Sequence, residues 1–171
     1  MITTFDPRTE ANLATLTPNT QAVARKFLSA IIESNRLPSG WSVRIISGTR
    51  TYDQQNTLYA EGRTTPGRIV TNAPGGYSNH NFGIAFDLGI FNAKGQYIDD
   101  LSDSGAMTEK EISSYYRMFP AIARPLGLTW GGDWISIDDE PHYELHPWPG
   151  LSEDQTLAKL RAMHANGEAI A

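Results

Sequence analysis

The sequence predicts an α+β fold, with helices packed on a small, mostly antiparallel sheet. Three observations predict it. Capping-box pairs recur at Thr51/Gln54, Thr108/Glu111 and Ser152/Gln155, each marking a helix start. Short apolar, β-branched or alternating segments lie between these starts. Helices and strands do not alternate regularly, as the βαβ units of a parallel sheet would require.

The elements follow in order. Thr17-Pro18 opens a helix, with proline early in its first turn. Val23, Phe27 and Ile31 recur at i, i+4 and i+8, Leu28 and Ile32 widen the stripe, and Leu37-Pro38-Ser39-Gly40 ends it. Trp41 to Ser47 reads as a strand, carrying Val43, Ile45 and Ile46. A short helix runs from Thr51 to Glu61, with Gly62 just past its end. Residues 63–79 hold two prolines and three glycines and read as a long loop. Phe82 to Ile90 reads as a strand, Asn92 to Gly95 as a turn, and Gln96 to Ile98 as the returning partner strand. Thr108 opens a helix ending near Gly127, Trp130 to Trp134 is a loop, and Pro141 to Leu145 is a short strand. Ser152 starts a C-terminal helix lined by Leu157, Leu160 and His164.

Composition narrows the function classes. At 171 residues the chain suits one domain, residues 1–171, with one sizeable core. With 40% apolar and 19% charged residues it reads as an ordinary globular protein rather than a disordered one. A net charge of -5 gives no basic field for a phosphate backbone, so no nucleic-acid partner is expected. The absence of cysteine excludes disulfides, thiolate metal sites and a cysteine nucleophile, and leaves the compartment open. Met1 to Arg8 lacks a basic start followed by an apolar run, so no secretory signal is expected, and no stretch suits membrane insertion.

Two segments carry candidate chemistry. In Ser78-Asn-His80-Asn-Phe-Gly83-Ile-Ala85-Phe-Asp87, strand alternation turns Phe82, Ile84, Phe86 and Leu88 to the core. Gly83, Ala85 and Asp87 then face the other way, two small residues clearing a space beside an acid. His80 precedes Asp87 by an odd offset, so it must approach from the turn before the strand, or the strand must bulge. In Asp138-Asp139-Glu140-Pro141-His142-Tyr143-Glu144-Leu145, His142 and Glu144 share one strand face, and Asp139 lies at the strand mouth. Two imidazoles and a carboxylate (His80, His142 and Asp87) make a first shell for one zinc ion, with a fourth position open for water. A further carboxylate free of the metal is then suited to proton transfer. Plainer readings stand beside these. Asp87 alone is a strand-end acid and Asp139 alone a turn residue; His146 and His164 read as surface or hydrogen-bonded histidines. There is no HExxH helix motif.

At these residues the chain resembles the VanY and L-alanyl-D-glutamate group of zinc peptidases. That group shares a structural superfamily with D-Ala-D-Ala dipeptidases and the hedgehog signalling domain. Three blocks carry the resemblance, in order, over about residues 20–165: Ser47-Gly48-Thr49-Arg50-Thr51 with Gln55 and Leu58-Tyr59; Ser78-x-His80-x-x-Gly83-x-Ala85-x-Asp87; and Asp139-x-Pro141-His142-Tyr143-Glu144 after Trp130-Gly-Gly-Asp-Trp134. The resemblance implies zinc ligation by His80, Asp87 and His142, with Asp139 as general base and Arg50 steadying the oxyanion. Ser78 and Gln55 are weaker candidates for holding substrate: Ser78 equally suits a turn cap, and Gln55 a polar helix position. Trp130, Trp134 and Tyr143 read as core or rim packing, and Glu144 as either a support for a ligand imidazole or a solvated strand residue.

Asp139 with its nearby proline is similar to the endopeptidase branch, which includes phage endolysins cutting the L-Ala–D-Glu bond of peptidoglycan stems. The expectation is a monomeric lytic enzyme; no linker or repeat-like C-terminal module marks a separate wall-binding domain, and the missing signal is compatible with a phage endolysin made in a host cytoplasm and released through a holin-formed lesion. Two rival readings remain at this point. One is a D-Ala-D-Ala carboxypeptidase on the same scaffold; the other is a non-catalytic zinc-containing binding module.

Overall fold

Asp6 starts the first helix by accepting hydrogen bonds from the backbone N–H groups of Arg8 and Thr9, with Pro7 at the first helical position. In this computed structural model, which describes residues 4–99, 107–135 and 137–170, that helix is α1 (Pro7–Leu13). Residues 1–3, the start of the segment read for a secretory signal, lie outside the described residues, as do the ends of the expected 1–171 domain. This short helix has no counterpart in the sequence expectations, because it buries a single apolar side chain, Leu13, and otherwise docks through polar ones. Asn12 Nδ2 donates to the Ile45 carbonyl at 2.8 Å, and Thr9 Oγ1 accepts from the Ile45 N–H at 3.1 Å. These bonds satisfy strand groups that an open sheet edge would leave bare.

Helix α2 (Pro18–Ser34) begins at Thr17, as expected, and ends at Asn35, whose φ of 49° is left-handed. Its buried stripe is Ala24, Phe27, Leu28 and Ile31, at i, i+3, i+4 and i+7. Val23 and Ile32 therefore do not belong to the core as expected: Val23 flanks the stripe and Ile32 is 42% exposed. Strand β1 (Ser42–Ser47) follows, then α3 (Tyr52–Ala60), where both bonds of the Thr51/Gln54 capping box form.

The expected strand from Phe82 starts later. Asn79–Phe82 form a 3-10 turn, Gly83 ends it at φ 70°, and β2 (Ala85–Phe91) begins only then. Gly83 is thus a left-handed cap, a conformation open to glycine, rather than the small floor residue the alternation implied. The turn also divides the expected core face. Phe86 and Leu88 join the main core, while Phe82 and Ile84 pack with Leu157 and Leu160 in a separate cluster.

Beyond β3 (Tyr97–Ile98), the single helix expected up to Gly127 is broken. It comprises α4 (Glu109–Tyr116), α5 (Pro120–Ala123) and a 3-10 turn at Arg124–Leu126. Pro120 has no N–H to continue a helix and instead opens the next one. Trp130, read as loop, closes β4 (Leu128–Trp130); β5 (His142–Leu145) and α6 (Glu153–Ala165) complete the order. The strands run β1-β2-β5-β4, with β3 also on β2, and every pairing between these strands is antiparallel. The α+β expectation therefore holds. The middle of the sheet brings Asp87 directly opposite His142.

Candidate metal centre

Three donor atoms meet where β2 and β5 pair. His80 Nε2 lies 3.1 Å from both Asp87 Oδ1 and His142 Nδ1, and His142 Nδ1 lies 3.2 Å from Asp87 Oδ1. A tetrahedral ion with bonds of about 2.0–2.1 Å holds its ligand atoms roughly 3.3 Å apart, so this triangle is of the right size. His80 reaches it from the 3-10 turn before the strand, the first of the two routes the odd spacing left open.

The other ring nitrogens decide which lone pairs face the triangle. His80 Nδ1 is 2.7 Å from the Gly48 carbonyl, so it donates its proton there and leaves Nε2 as an acceptor. His142 Nε2 is 3.0 Å from Glu144 Oε2, which leaves Nδ1 facing inward. Imidazoles oriented by a carbonyl and a carboxylate are the supporting pattern of metal-ligating histidines. Both rings are buried, His80 completely and His142 with 4% exposed, yet each is aimed at a carboxylate and at the other ring. That donor set fits zinc.

The electrostatics reflect this crowding. Burial would raise the Asp87 pKa, but the charge and hydrogen bonds of the two histidines hold it well below the carboxylate range. Burial lowers the pKa of His80 against the pull of Asp87. Burial also opposes the charging of His142, but hydrogen bonds to Asp87 and Glu144 prevail and raise it to about 10. Two imidazoles converging on an ionised carboxylate make a proton trap, and a divalent cation satisfies the same three atoms.

Asp139 stands beside the triangle on the turn before β5. Its carbonyl accepts from the His142 N–H at 3.1 Å, and its N–H donates to the Gly131 carbonyl at 3.3 Å. Gly131 has to be small: a Cβ there would lie 2.5 Å from the Asp139 carbonyl oxygen and 2.9 Å from His142 Cβ. Trp130, in the core, fixes the same turn by donating from Nε1 to the Glu140 carbonyl at 2.7 Å. Burial, then the charge of Asp87, raises the Asp139 pKa to about 6. Asp139 also lines a cleft of about 720 Å³, together with Arg68, Ile69 and Val70 of the 63–79 loop.

The remaining candidates divide. Arg50 donates its backbone N–H to the His80 carbonyl at 3.0 Å, and its buried Nε has no hydrogen-bond partner among the described residues. The Arg50 side chain lines a second hollow of about 560 Å³ with Thr49, Thr51 and Tyr52. Ser78 precedes the 3-10 turn and caps it with no side-chain hydrogen bond, so the alternative capping role for its hydroxyl is absent. Gln55 is a correction. It is completely buried, and its amide donates to the Ala73 carbonyl at 2.8 Å and to Thr71 Oγ1 at 3.3 Å. It braces the 63–79 loop from behind and presents no surface to a substrate. Tyr143 is core, its ring 4.7 Å from that of Phe27, whereas Trp134 lies at the rim with its ring 4.8 Å from that of His142. Glu144 is buried beneath His142, which resolves the two readings of it in favour of support.

Comparison with known proteins agrees with this geometry. Residues 71–145, which contain His80, Asp87, Asp139 and His142, match a family model described as D-alanyl-D-alanine carboxypeptidase. The chain is 41% identical over 108 residues to the peptidoglycan L-alanyl-D-glutamate endopeptidase CwlK of Bacillus subtilis, a match covering 63% of each chain. It is 33% identical over 149 residues to the L-alanyl-D-glutamate peptidase of Listeria phage A118, covering 85% of this chain and 43% of that one. The chain thus spans about two fifths to just under two thirds of the length of these curated relatives. The fold is similar to the crystal structure of the Serratia marcescens L-Ala D-Glu endopeptidase ChiX, with a TM-score of 0.54, 22% identity, and coverage of 82% of this chain and 88% of that one. The three sequence blocks and these matches make the chain similar to the VanY and L-alanyl-D-glutamate group of zinc peptidases.

Proposed function

We propose that this chain is a zinc-dependent peptidoglycan endopeptidase that cuts the L-Ala–D-Glu bond of the stem peptide. The observation that carries the reading is the His80–Asp87–His142 triangle, with both imidazole tautomers set and a raised-pKa carboxylate beside it. The names of the two curated relatives support the choice of bond.

In this reading His80 Nε2, Asp87 Oδ1 and His142 Nδ1 hold one zinc ion. Zinc bound there supplies a Lewis acid and lowers the pKa of water toward about 7. Asp139 accepts the proton of the attacking water and delivers it to the departing amine of D-Glu. Burial, which raises its pKa, suits a group that must do both near neutrality. Arg50 offers a fixed positive charge to the developing oxyanion, and an unpartnered buried Nε is what such a role requires of the ground state. Ser78, at the mouth of the ligand turn, is the candidate for a polar contact with the stem peptide. The enzyme acts as a monomer in the manner of a phage endolysin, made in the host cytoplasm and reaching the wall through a membrane lesion. Among the described residues, no helix is long and apolar enough to cross a membrane.

One observation favours a second reading, D-Ala-D-Ala carboxypeptidase activity: the description of the family model matched by residues 71–145. Digestion of purified peptidoglycan, with mass spectrometry of the new termini, separates the two. The endopeptidase reading predicts fragments with N-terminal D-glutamate. Release of free D-alanine without such fragments contradicts it.

A further inference from the structure

The carboxylate beneath His142 is itself held by a network that extends to the C-terminal helix. Glu144 accepts from three donors: His142 Nε2 at 3.0 Å and Asn79 Nδ2 at 2.8 Å on Oε2, and His146 Nε2 at 2.7 Å on Oε1. Asn79 Nδ2 also donates to Glu153 Oε1 at 2.9 Å, and Glu153 Oε2 lies 3.7 Å from His146 Nε2. Glu153 opens α6, and Asn79 adjoins the ligand His80 on the 3-10 turn. His142, Glu144 and His146 are spaced i, i+2, i+4, the spacing that puts side chains on one face of a strand.

Three donors on a buried carboxylate leave it little freedom to turn. If Glu144 turned, His142 would lose the acceptor that keeps its proton on Nε2 and its lone pair on Nδ1. His146 takes the Glu144 oxygen that faces away from His142. It therefore acts on the metal site through Glu144, without facing the triangle. Asn79 links the same carboxylate to both the ligand turn and α6.

We propose that His146, with Asn79 and Glu153, is a positioning residue for the metal: it locks Glu144, and thereby the tautomer and orientation of His142. The proposal rests on the zinc reading of the triangle. Loss of an outer partner of this kind costs roughly 10–100-fold in metal affinity.

The test is zinc affinity by chelator competition, with the absorption spectrum of the cobalt-substituted protein as a second readout. The variants are His146→Ala, His146→Gln (which keeps an N–H donor) and Glu153→Gln. A wild-type protein that binds no zinc removes the metal reading and this proposal with it. Given wild-type binding, the proposal predicts that His146→Ala weakens zinc at least about 10-fold and shifts the cobalt ligand-field bands. His146→Gln should recover most of both, and Glu153→Gln should lie between. The metal-free melting temperature of His146→Ala should fall only modestly, because Glu144 keeps His142 and Asn79 as donors. Wild-type affinity and spectrum in His146→Ala overturn the proposal. So does a loss that His146→Gln does not restore, or one matched by an equal loss of metal-free stability. A second zinc equivalent in the wild type that vanishes in His146→Ala also overturns it, since Glu144, His146 and Glu153 would then be ligands rather than supports.

Discussion

Asp139 is subject to opposing influences. Burial and the neighbouring Asp87 favour its neutral form, while His142 and Arg50 favour the charged one, and the balance lies at about 6. An amide at this position keeps the shape of the side chain and cannot take a proton. Asp139→Asn should therefore retain one zinc while losing on the order of 100-fold or more in kcat, measured on purified peptidoglycan. Full activity with zinc retained would remove Asp139 as the base. Gly131 allows a second prediction. An added Cβ would meet the Asp139 carbonyl oxygen at 2.5 Å and His142 Cβ at 2.9 Å. Gly131→Ala should cost about 1–3 kcal/mol in denaturant melts and weaken zinc binding together with stability; an unchanged melt contradicts the close approach. That His80, Asp87 and His142 converge was legible in the sequence, because few residue types can offer a metal two imidazoles and a carboxylate. Gln55 was misread for a physical reason: a polar residue in a matching block looks the same in sequence whether it faces a substrate or braces a loop.

Elements that dock by apolar periodicity were legible, and those that dock by polar bonds or are cut by proline were not. All three capping boxes form as the spacing predicts. Helix α1 offered no stripe, since Thr9 and Asn12 attach it to β1 through the Ile45 peptide groups. It is also held by Leu13, completely buried in the main core, and by the Glu10–Arg25 ion pair, supplemented by a bond from the Phe5 N–H to Glu10 at 2.9 Å. The hydrogen bond from Arg25, then that from Phe5, lowers the Glu10 pKa. A depressed carboxylate pKa gives stability above the unfolded value, lost as pH falls through the folded value. Glu10→Gln should thus be destabilised by roughly 0.2–1 kcal/mol at pH 7, with the difference from wild type closing below the lowered pKa. A difference that persists at strongly acidic pH contradicts the pair as its source. Helix α6 is held differently, with Leu160 completely buried against Phe82 and Ile84. Leu160→Ala should cost about 2–5 kcal/mol in thermal or denaturant melts. Because Phe82 closes the turn that carries His80, zinc affinity should fall as well; a loss below about 0.5 kcal/mol would show that α6 is not docked there.

For the molecule as a whole, the sheet order puts Asp87 and His142 on its central strands, with His80 on the turn before β2, while the loops form the cleft. β2 pairs with β1 on one side and β5 on the other, so Asp87 and His142 meet across a ladder that packing on both sides keeps rigid. The 63–79 loop supplies Arg68, Ile69 and Val70 to the cleft that Asp139 also lines. Removing residues 64–70 should raise KM on polymeric peptidoglycan severalfold and leave zinc content unchanged; an unaltered KM contradicts the loop as a wall. The fold class could be read from the sequence because capping boxes and apolar segments are local signals. The loop's course could not, because it depends on one buried amide, that of Gln55, reaching Thr71 and Ala73. The central claim is that His80, Asp87 and His142 together hold one catalytic zinc ion. Metal analysis by inductively coupled plasma mass spectrometry, on the purified chain and on His142→Ala, tests it most directly. One zinc per chain in the native protein, and almost none in the variant, is the predicted result; an active native protein without metal, or a variant that keeps its full zinc, would contradict it.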